Sequence, residues 1–231
     1  MKVGIMQPYF MPYIGYFQLM KAVDKYVIYN DVNYINRGWV ARNNILINER
    51  KQLFTIKLQG ASQNKHFTEI QVLDDLKKLT KTLEMNYSKA PFFQPTMELM
   101  NKIFSFPEKR LDLFIKNSFE EILTYLKIDT ELILSSNIKK DDSLKGQDKI
   151  LDICKRLKAD TYYNAIGGKE LYDKKEFAKS GISLCFLRTN ENLQYKQFSK
   201  MDFIPNLSII DVLMFNSVEE VNGMLDDYIL E

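Results

Sequence analysis

The first thirty residues constrain the fold more than any other stretch. KVGIM, Lys2–Met6, is a short apolar run stopped by Gln7-Pro8. Pro12 and Gly15 bracket a loop, and Ile14, Phe17, Leu19, Met20 and Val23 give residues 13–23 an apolar helical face. YVIY, residues 26–29, is a second β-rich run that ends at Asn30-Asp31. Strand, loop, helix and strand in this space form a βαβ unit. Its strands are expected to be parallel and joined by a right-handed crossover. Both carboxyl ends then open on one edge of the sheet, where ligands of open α/β sheets bind. Residues 7–15 and 31–33 are expected to face each other there.

The same opening bears on location. Residues 3–20 carry no charge, but Gln7, Pro8, Pro12 and Gly15 interrupt them and no small-residue cleavage site follows. A secretory signal or a membrane span is not expected, and no other run has the length for one. The chain reads as a cytoplasmic protein without membrane insertion. Lys plus Arg is 32 against 30 for Asp plus Glu, a net charge of +2, which marks no nucleic-acid surface. Lys77, Lys78 and Lys81 are interleaved with Asp74, Asp75 and Glu84, as on a solvated helix face. Cys154 and Cys185 sit in apolar contexts and read as buried thiols of a reducing compartment. One histidine and two scattered cysteines do not make a zinc site, so no metal site is assigned. A carboxylate-held magnesium stays open, because that ion needs few protein ligands.

At 231 residues, one domain is the natural expectation. Residues 39–47 and 52–58 alternate apolar and polar side chains about Asn48-Glu49-Arg50-Lys51, which predicts a hairpin. Helical periodicity covers residues 74–87, 91–106 and 108–126, a helical insertion at about 72–128. The α/β pattern resumes with strands at 131–135, 161–165 and 182–187 and helices at 145–157 and 170–179. Ser143 is the candidate cap of the first of these helices. Helices at 208–215 and 218–228 close the chain. The expected fold is a single α/β domain over residues 1–231. It has a mostly parallel sheet of βαβ units, an antiparallel hairpin and a helical insertion.

No dinucleotide-binding glycine motif, P-loop, nucleophile elbow or H-E-x-x-H occurs. The candidate site residues come from position instead. Gln7, Tyr9, Tyr13 and Tyr16 offer amide, hydroxyl and ring surface on a proline-stiffened loop, or they line a core edge. Asp31 ends a strand, as a catalytic carboxylate or as a turn residue. Arg37, Arg42 and Asn43 flank Trp39, as an anion-binding group or as solvated surface. Gly167-Gly168 between a strand and a helix can bring backbone N–H groups to an anion or simply make a tight turn. His66 is the natural general base near neutral pH, or plain surface. Asp211 stands three residues after Ser208, the spacing of a capping box, which favours a cap over catalysis.

Four segments together carry a resemblance: IMQPYFMPYIGYFQLM, YNDVNYINRGWVARNNIL, SLKGQDKILDICKRLKADTYYNAIGGKELYD and FIPNLSIIDVLMFNS. They resemble the WbqC-like family over about residues 2–220. The resemblance implies bacterial surface-polysaccharide biosynthesis of the O-antigen type, and a cytoplasmic step on a nucleotide-linked sugar. The opening strand, loop and helix are also similar in layout to the nucleotide-binding half of pantothenate synthetases and nucleotidylyltransferases. Gln7 and Pro12-Tyr13-Ile14-Gly15 stand where those enzymes carry histidines.

The expected function is an N-acyl or aminoacyl transferase that forms an amide on a dTDP- or UDP-linked amino sugar. Asp31 or His66 would be the base, Arg42 or the Gly167-Gly168 amides would hold the diphosphate, and the tyrosines would pack on sugar and base. The cofactor stays open between an acyl or amino-acid donor and ATP with magnesium. A non-catalytic sugar-nucleotide-binding accessory protein is the alternative. A glycosyltransferase is a further one, against which the missing D-x-D pair counts.

Overall fold

The computed structural model describes residues 1–36, 38–73, 75–198 and 202–231. Strand β1 (Lys2–Met6) leads through helix α1 (Ile14–Lys21) to β2 (Lys25–Ile28). A long crossover follows. It contains the hairpin β3 (Arg42–Ile47) and β4 (Arg50–Thr55), the short pair β5 (Leu58–Gln59) and β6 (Gln71–Val72), and helices α2 (Lys77–Tyr87), α3 (Phe93–Phe104) and α4 (Leu111–Leu126). Then come β7 (Glu131–Leu134), α5 (Gly146–Arg156), β8 (Thr161–Ala165), α6 (Lys174–Lys179) and β9 (Ser183–Thr189). Helices α7 (Ile209–Phe215) and α8 (Val218–Leu225) precede the last strand, β10 (Tyr228–Leu230).

The main sheet runs β10-β9-β8-β1-β2-β7. Every neighbouring pair is parallel except β10 with β9. Counted in chain order from the β7 edge, the six strands run 3-2-1-4-5-6, the doubly wound order whose direction reverses between its first and fourth strands. Here those are β1 and β8, which pair from Lys2↔Thr161 to Gly4↔Tyr163 and then part.

Two apolar layers follow from the period of two along each strand. Val3, Ile5 and Val27 pack with Ile150 and Ile153 of α5 and Phe177 of α6. Tyr26 and Ile28 face the other way, into a larger core with Phe17 and Leu19 of α1 and Phe119 of α4. Gln18 is buried, and its amide donates to the carbonyls of Met224 (2.8 Å) and Asp227 (3.0 Å), which ties α1 to the end of the chain.

The hairpin forms its own sheet and turns on Asn48 and Glu49, both at positive φ, as a two-residue connection requires. Three local expectations are corrected. Ser143 does not cap α5: its hydroxyl donates to Asp141 Oδ1 (2.6 Å), and the N-cap position is Lys145. The last helix ends at Leu225, and Tyr228 pairs with Thr189 in β10 rather than continuing the helix. Ser208 does cap α7 through Ile210 N–H, but Asp211 turns inward to another network.

Candidate ligand-binding site

Where β1 and β8 part, their carboxyl ends enclose a cleft of about 480 Å³. Gln7, Tyr9, Tyr13, Tyr16, Asn164 and Tyr172 contribute to its walls, with Gly167 and Gly168 beside them. The buried Tyr16 hydroxyl donates to the Gln7 carbonyl, and the Tyr9 and Tyr16 ring centroids are 5.6 Å apart. Burial pushes the Tyr9, Tyr13 and, most strongly, Tyr16 hydroxyls above their ordinary pKa, so all three keep their protons at neutral pH. Gly15 packs behind Tyr13 of this wall. A Cβ there would lie 2.4 Å from the Tyr13 ring and 2.7 Å from Thr189 Oγ1, so a side chain would displace Tyr13.

A second cleft, of about 950 Å³, lies at the carboxyl ends of β2 and β7. The Ile28↔Leu134 pair at the end of this ladder brings the segment after β2 beside the segment after β7. Asp31 accepts from the Ser135 hydroxyl and pairs with the Lys140 ammonium. Lys149 Nζ lies 3.8 Å from the same carboxylate and 5.7 Å from the centroid of the Tyr29 ring. Burial alone would raise the Asp31 carboxyl, but the hydrogen bonds from Lys140 and Ser135 and the charges of both lysines hold it below the ordinary value. Asp31 is therefore an ionised partner of lysines at neutral pH. Lys139, Lys145 and His66 complete the charged lining. Exposed His66 is brought there by its bridge to Asn33, and its backbone N–H donates to Glu69 (2.8 Å).

Tyr29 lines both clefts, and Tyr9 and Tyr13 also line a third, of about 400 Å³, with Trp39, Asn43 and Lys51. Trp39 is 49% exposed, whereas Asn43 is buried and donates to the Met11 carbonyl (2.7 Å). Arg42 is turned toward Gly38, whose carbonyl accepts from its Nε (2.8 Å), and its guanidinium lies 5.7 Å from the centroid of the Trp39 ring. Arg37 lies outside the described residues.

Of the residues singled out in the sequence, Gln7, Tyr9, Tyr13, Tyr16, Gly167 and Gly168 line the first cleft, Asp31 and His66 the second, and Trp39 and Asn43 the third, while Arg42 lines none of the three. Tyr9 and Asp31 do not face each other across one cavity; they stand in neighbouring clefts with Tyr29 between. Gly167-Gly168 lies between β8 and α6, as expected, but not at the start of that helix. Both lie in a 3-10 turn (Ile166–Leu171), and α6 starts later, capped by Asp173 through Lys175 N–H (2.7 Å). Gly168 packs against Asn164: a Cβ would lie 2.6 Å from Asn164 Nδ2, so that amide would have to shift. The expected cap at Asp211 is replaced by a buried carboxylate that accepts from Tyr195 Oη (2.6 Å), Tyr87 Oη (2.7 Å) and Gln197 Nε2 (3.0 Å). Sequence reasoning passed over Tyr29, Lys139, Lys140, Lys145, Lys149 and Asn164. One local signal was present, a helix start in LKGQDK with lysine where a capping side chain is usual. Among the described residues, no group of three or more His, Cys, Asp or Glu is placed to hold a metal ion. No described helix is long and apolar enough to cross a membrane.

A family model described as the WbqC-like protein family matches residues 7–223. An uncharacterized protein of Mycobacterium tuberculosis is 29% identical over 219 residues, which covers 93% of this chain and 93% of that protein. No solved structure matches the chain.

Proposed function

The chain belongs to the WbqC-like protein family, and from that premise we propose that it is a cytoplasmic transferase of bacterial surface-polysaccharide biosynthesis. Its substrate is a dTDP- or UDP-linked amino sugar, and its product an amide on the sugar's amino group. One observation carries the reading. A tyrosine-lined cleft at the reversal of strand order adjoins a lysine-lined cleft across a shared residue, Tyr29. That pairing suits a ligand with a ring at one end and an anionic middle. Open α/β sheets bind ligands at this crevice. The tyrosine hydroxyls, Gln7 and Asn164 supply the few polar groups that orient a ligand in a mostly apolar pocket.

In the proposed reaction the sugar nitrogen attacks the carbonyl carbon of an activated acyl or aminoacyl donor. The C–N bond forms, the bond to the donor's leaving group breaks, and the amine loses a proton to a base. His66, on the wall of the lysine cleft, is the base in this reading. Asp31 acts through its lysines, because its carboxylate is already paired.

That pairing also favours the second reading, a sugar-nucleotide-binding protein without turnover. One experiment separates the two. The purified protein is incubated with amino sugar nucleotides and with acyl and aminoacyl donors, and the mixture is examined by mass spectrometry. An amide product that His66→Ala reduces supports the transferase. Binding without product supports the accessory protein.

A further inference from the structure

The lysine cleft holds positive charge that the fold leaves unused. Lys140 is committed to structure: beyond Asp31, its ammonium donates to the Ser135 carbonyl at 2.6 Å. Lys149 differs. It is only 8% exposed, its nearest carboxylate oxygen is 3.8 Å away, and no described residue accepts a hydrogen bond from it. Its ammonium nitrogen still reaches solvent, and Lys149 lines the cleft with three donors to offer. Lys139 and Lys145 line the same cleft, and neither has a carboxylate within ion-pair distance among the described residues. The opposing charges are few: Asp31, already shared by two lysines, and Asp142, 3.9 Å from Lys140.

The start of α5 adds to this. The helix has eleven residues, and its N-cap, Lys145, supplies no side-chain acceptor. Lys145 and Gly146 border the cleft, which places the start of this helix, with its unpaired N–H groups, at the rim. Asp148, in that same turn, is the one acidic side chain there. A volume of about 950 Å³ is larger than a lone phosphate needs and suits a diphosphate with a hexose attached.

We propose that this cleft is a diphosphate site, in which Lys149, Lys145 and the first turn of α5 bind the phosphoanhydride oxygens and Asp31 positions Lys140 and Lys149. The site rests on the nucleotide-sugar reading above and gives it an orientation. The nucleoside lies among the tyrosines on one side of Tyr29, the diphosphate lies beside Lys149 on the other, and the amino sugar continues toward His66. The diphosphate is thus held away from Arg42 and from Gly167-Gly168.

The test uses inorganic pyrophosphate as the probe, titrated into the full chain by calorimetry at low and at high salt, with thermal unfolding alongside. Pyrophosphate is expected to bind and to raise the unfolding temperature, less so at high salt. Lys149→Gln is expected to weaken it by about ten-fold and Lys145→Gln by several-fold, with Lys77→Gln as the unaffected control. Lys145 is exposed, so its variant decides the matter even where Lys149→Gln fails to fold. No binding, or equal binding in all variants, overturns the site. Lysine-dependent pyrophosphate binding without any amide product keeps the site and removes the transferase reading. An amide product with lysine-independent binding does the reverse.

Discussion

Asp31 and Lys140 form an ion pair at the carboxyl ends of β2 and β7, and the lysine side chain is 97% removed from solvent while the carboxylate also draws Lys149 to 3.8 Å. One side chain thereby fixes two lysines at the wall of the charged cleft on this edge. The pair lies between segments about a hundred residues apart, so it forms only once β2 and β7 are side by side.

Replacing Asp31 by Asn should therefore cost stability and ligand affinity together. Loss of a charge-assisted acceptor is worth about 2 kcal/mol, read as a shift in the urea midpoint at pH 7. Because the Asp31 carboxyl is depressed in the folded protein, its contribution is present above the unfolded value near 4 and fades as pH falls below it. The stability gap between wild type and Asp31→Asn should accordingly close in acid. A gap that stays constant down to pH 2 would show that the ion pair is not its source.

Asp211 should behave in the opposite sense. Burial pushes its carboxyl up to about 6, and the hydrogen bonds from Tyr195, Tyr87 and Gln197 only partly offset that. A raised carboxyl favours the folded state at low pH, and the benefit is lost as pH rises from about 4 through 6. The change is on the order of 3 kcal/mol. Asp211→Asn should flatten this part of the stability profile, measured by denaturant unfolding at steps between pH 4 and 8.

Tyr87→Phe tests the same network from the other side. The Tyr87 hydroxyl donates to Asp211 and accepts from the Leu46 N–H (2.8 Å). Its removal leaves a buried hairpin N–H without its partner, at a cost of about 1–3 kcal/mol. Hydrogen exchange at Leu46 should accelerate in the variant. Unchanged protection there would mean that the hairpin is held by other contacts.

Gly15→Ala should uncouple folding from binding only partly. The added methyl meets the Tyr13 ring and Thr189, which costs about 1–3 kcal/mol of overpacking. Tyr13 must move, so affinity for a sugar nucleotide should fall even under conditions where the variant is fully folded. Calorimetry well below the unfolding temperature checks this.

Trp39→Ala separates the two properties cleanly. The ring is half exposed, so stability should change by no more than about 0.5 kcal/mol. Trp39 continues the stacking surface beyond Tyr9 and Tyr13, so affinity for the nucleoside end should drop by about ten-fold.

The local elements were legible in the sequence because they rest on local patterns. The apolar run of β1, the alternation in β3 and β4 and the helical stripe of α4 each show in a short window. Strand order was not legible, since nothing in YVIY or ELIL states that β2 and β7 pair. The tyrosine cleft was within reach because Gln7, Tyr9, Tyr13 and Tyr16 share one short loop. The lysine cleft was not: Lys139, Lys140, Lys145 and Lys149 are spaced among acidic residues and resemble solvated surface until β2 and β7 bring Asp31 to them. Tyr228, Ile229 and Leu230 follow a helix too closely for three residues to announce an edge strand. Asp211 misled because its spacing from Ser208 fits a cap, while its partners Tyr87 and Tyr195 come from distant segments.

The central claim is that the carboxyl edge of the sheet forms one continuous site across Tyr29. The most direct measurement is a crystal structure of the protein soaked with a dTDP- or UDP-linked amino sugar. The account predicts a nucleoside against Tyr9 and Tyr13 and a diphosphate within hydrogen-bond reach of Lys149. A ligand ordered anywhere away from Tyr29 would contradict it.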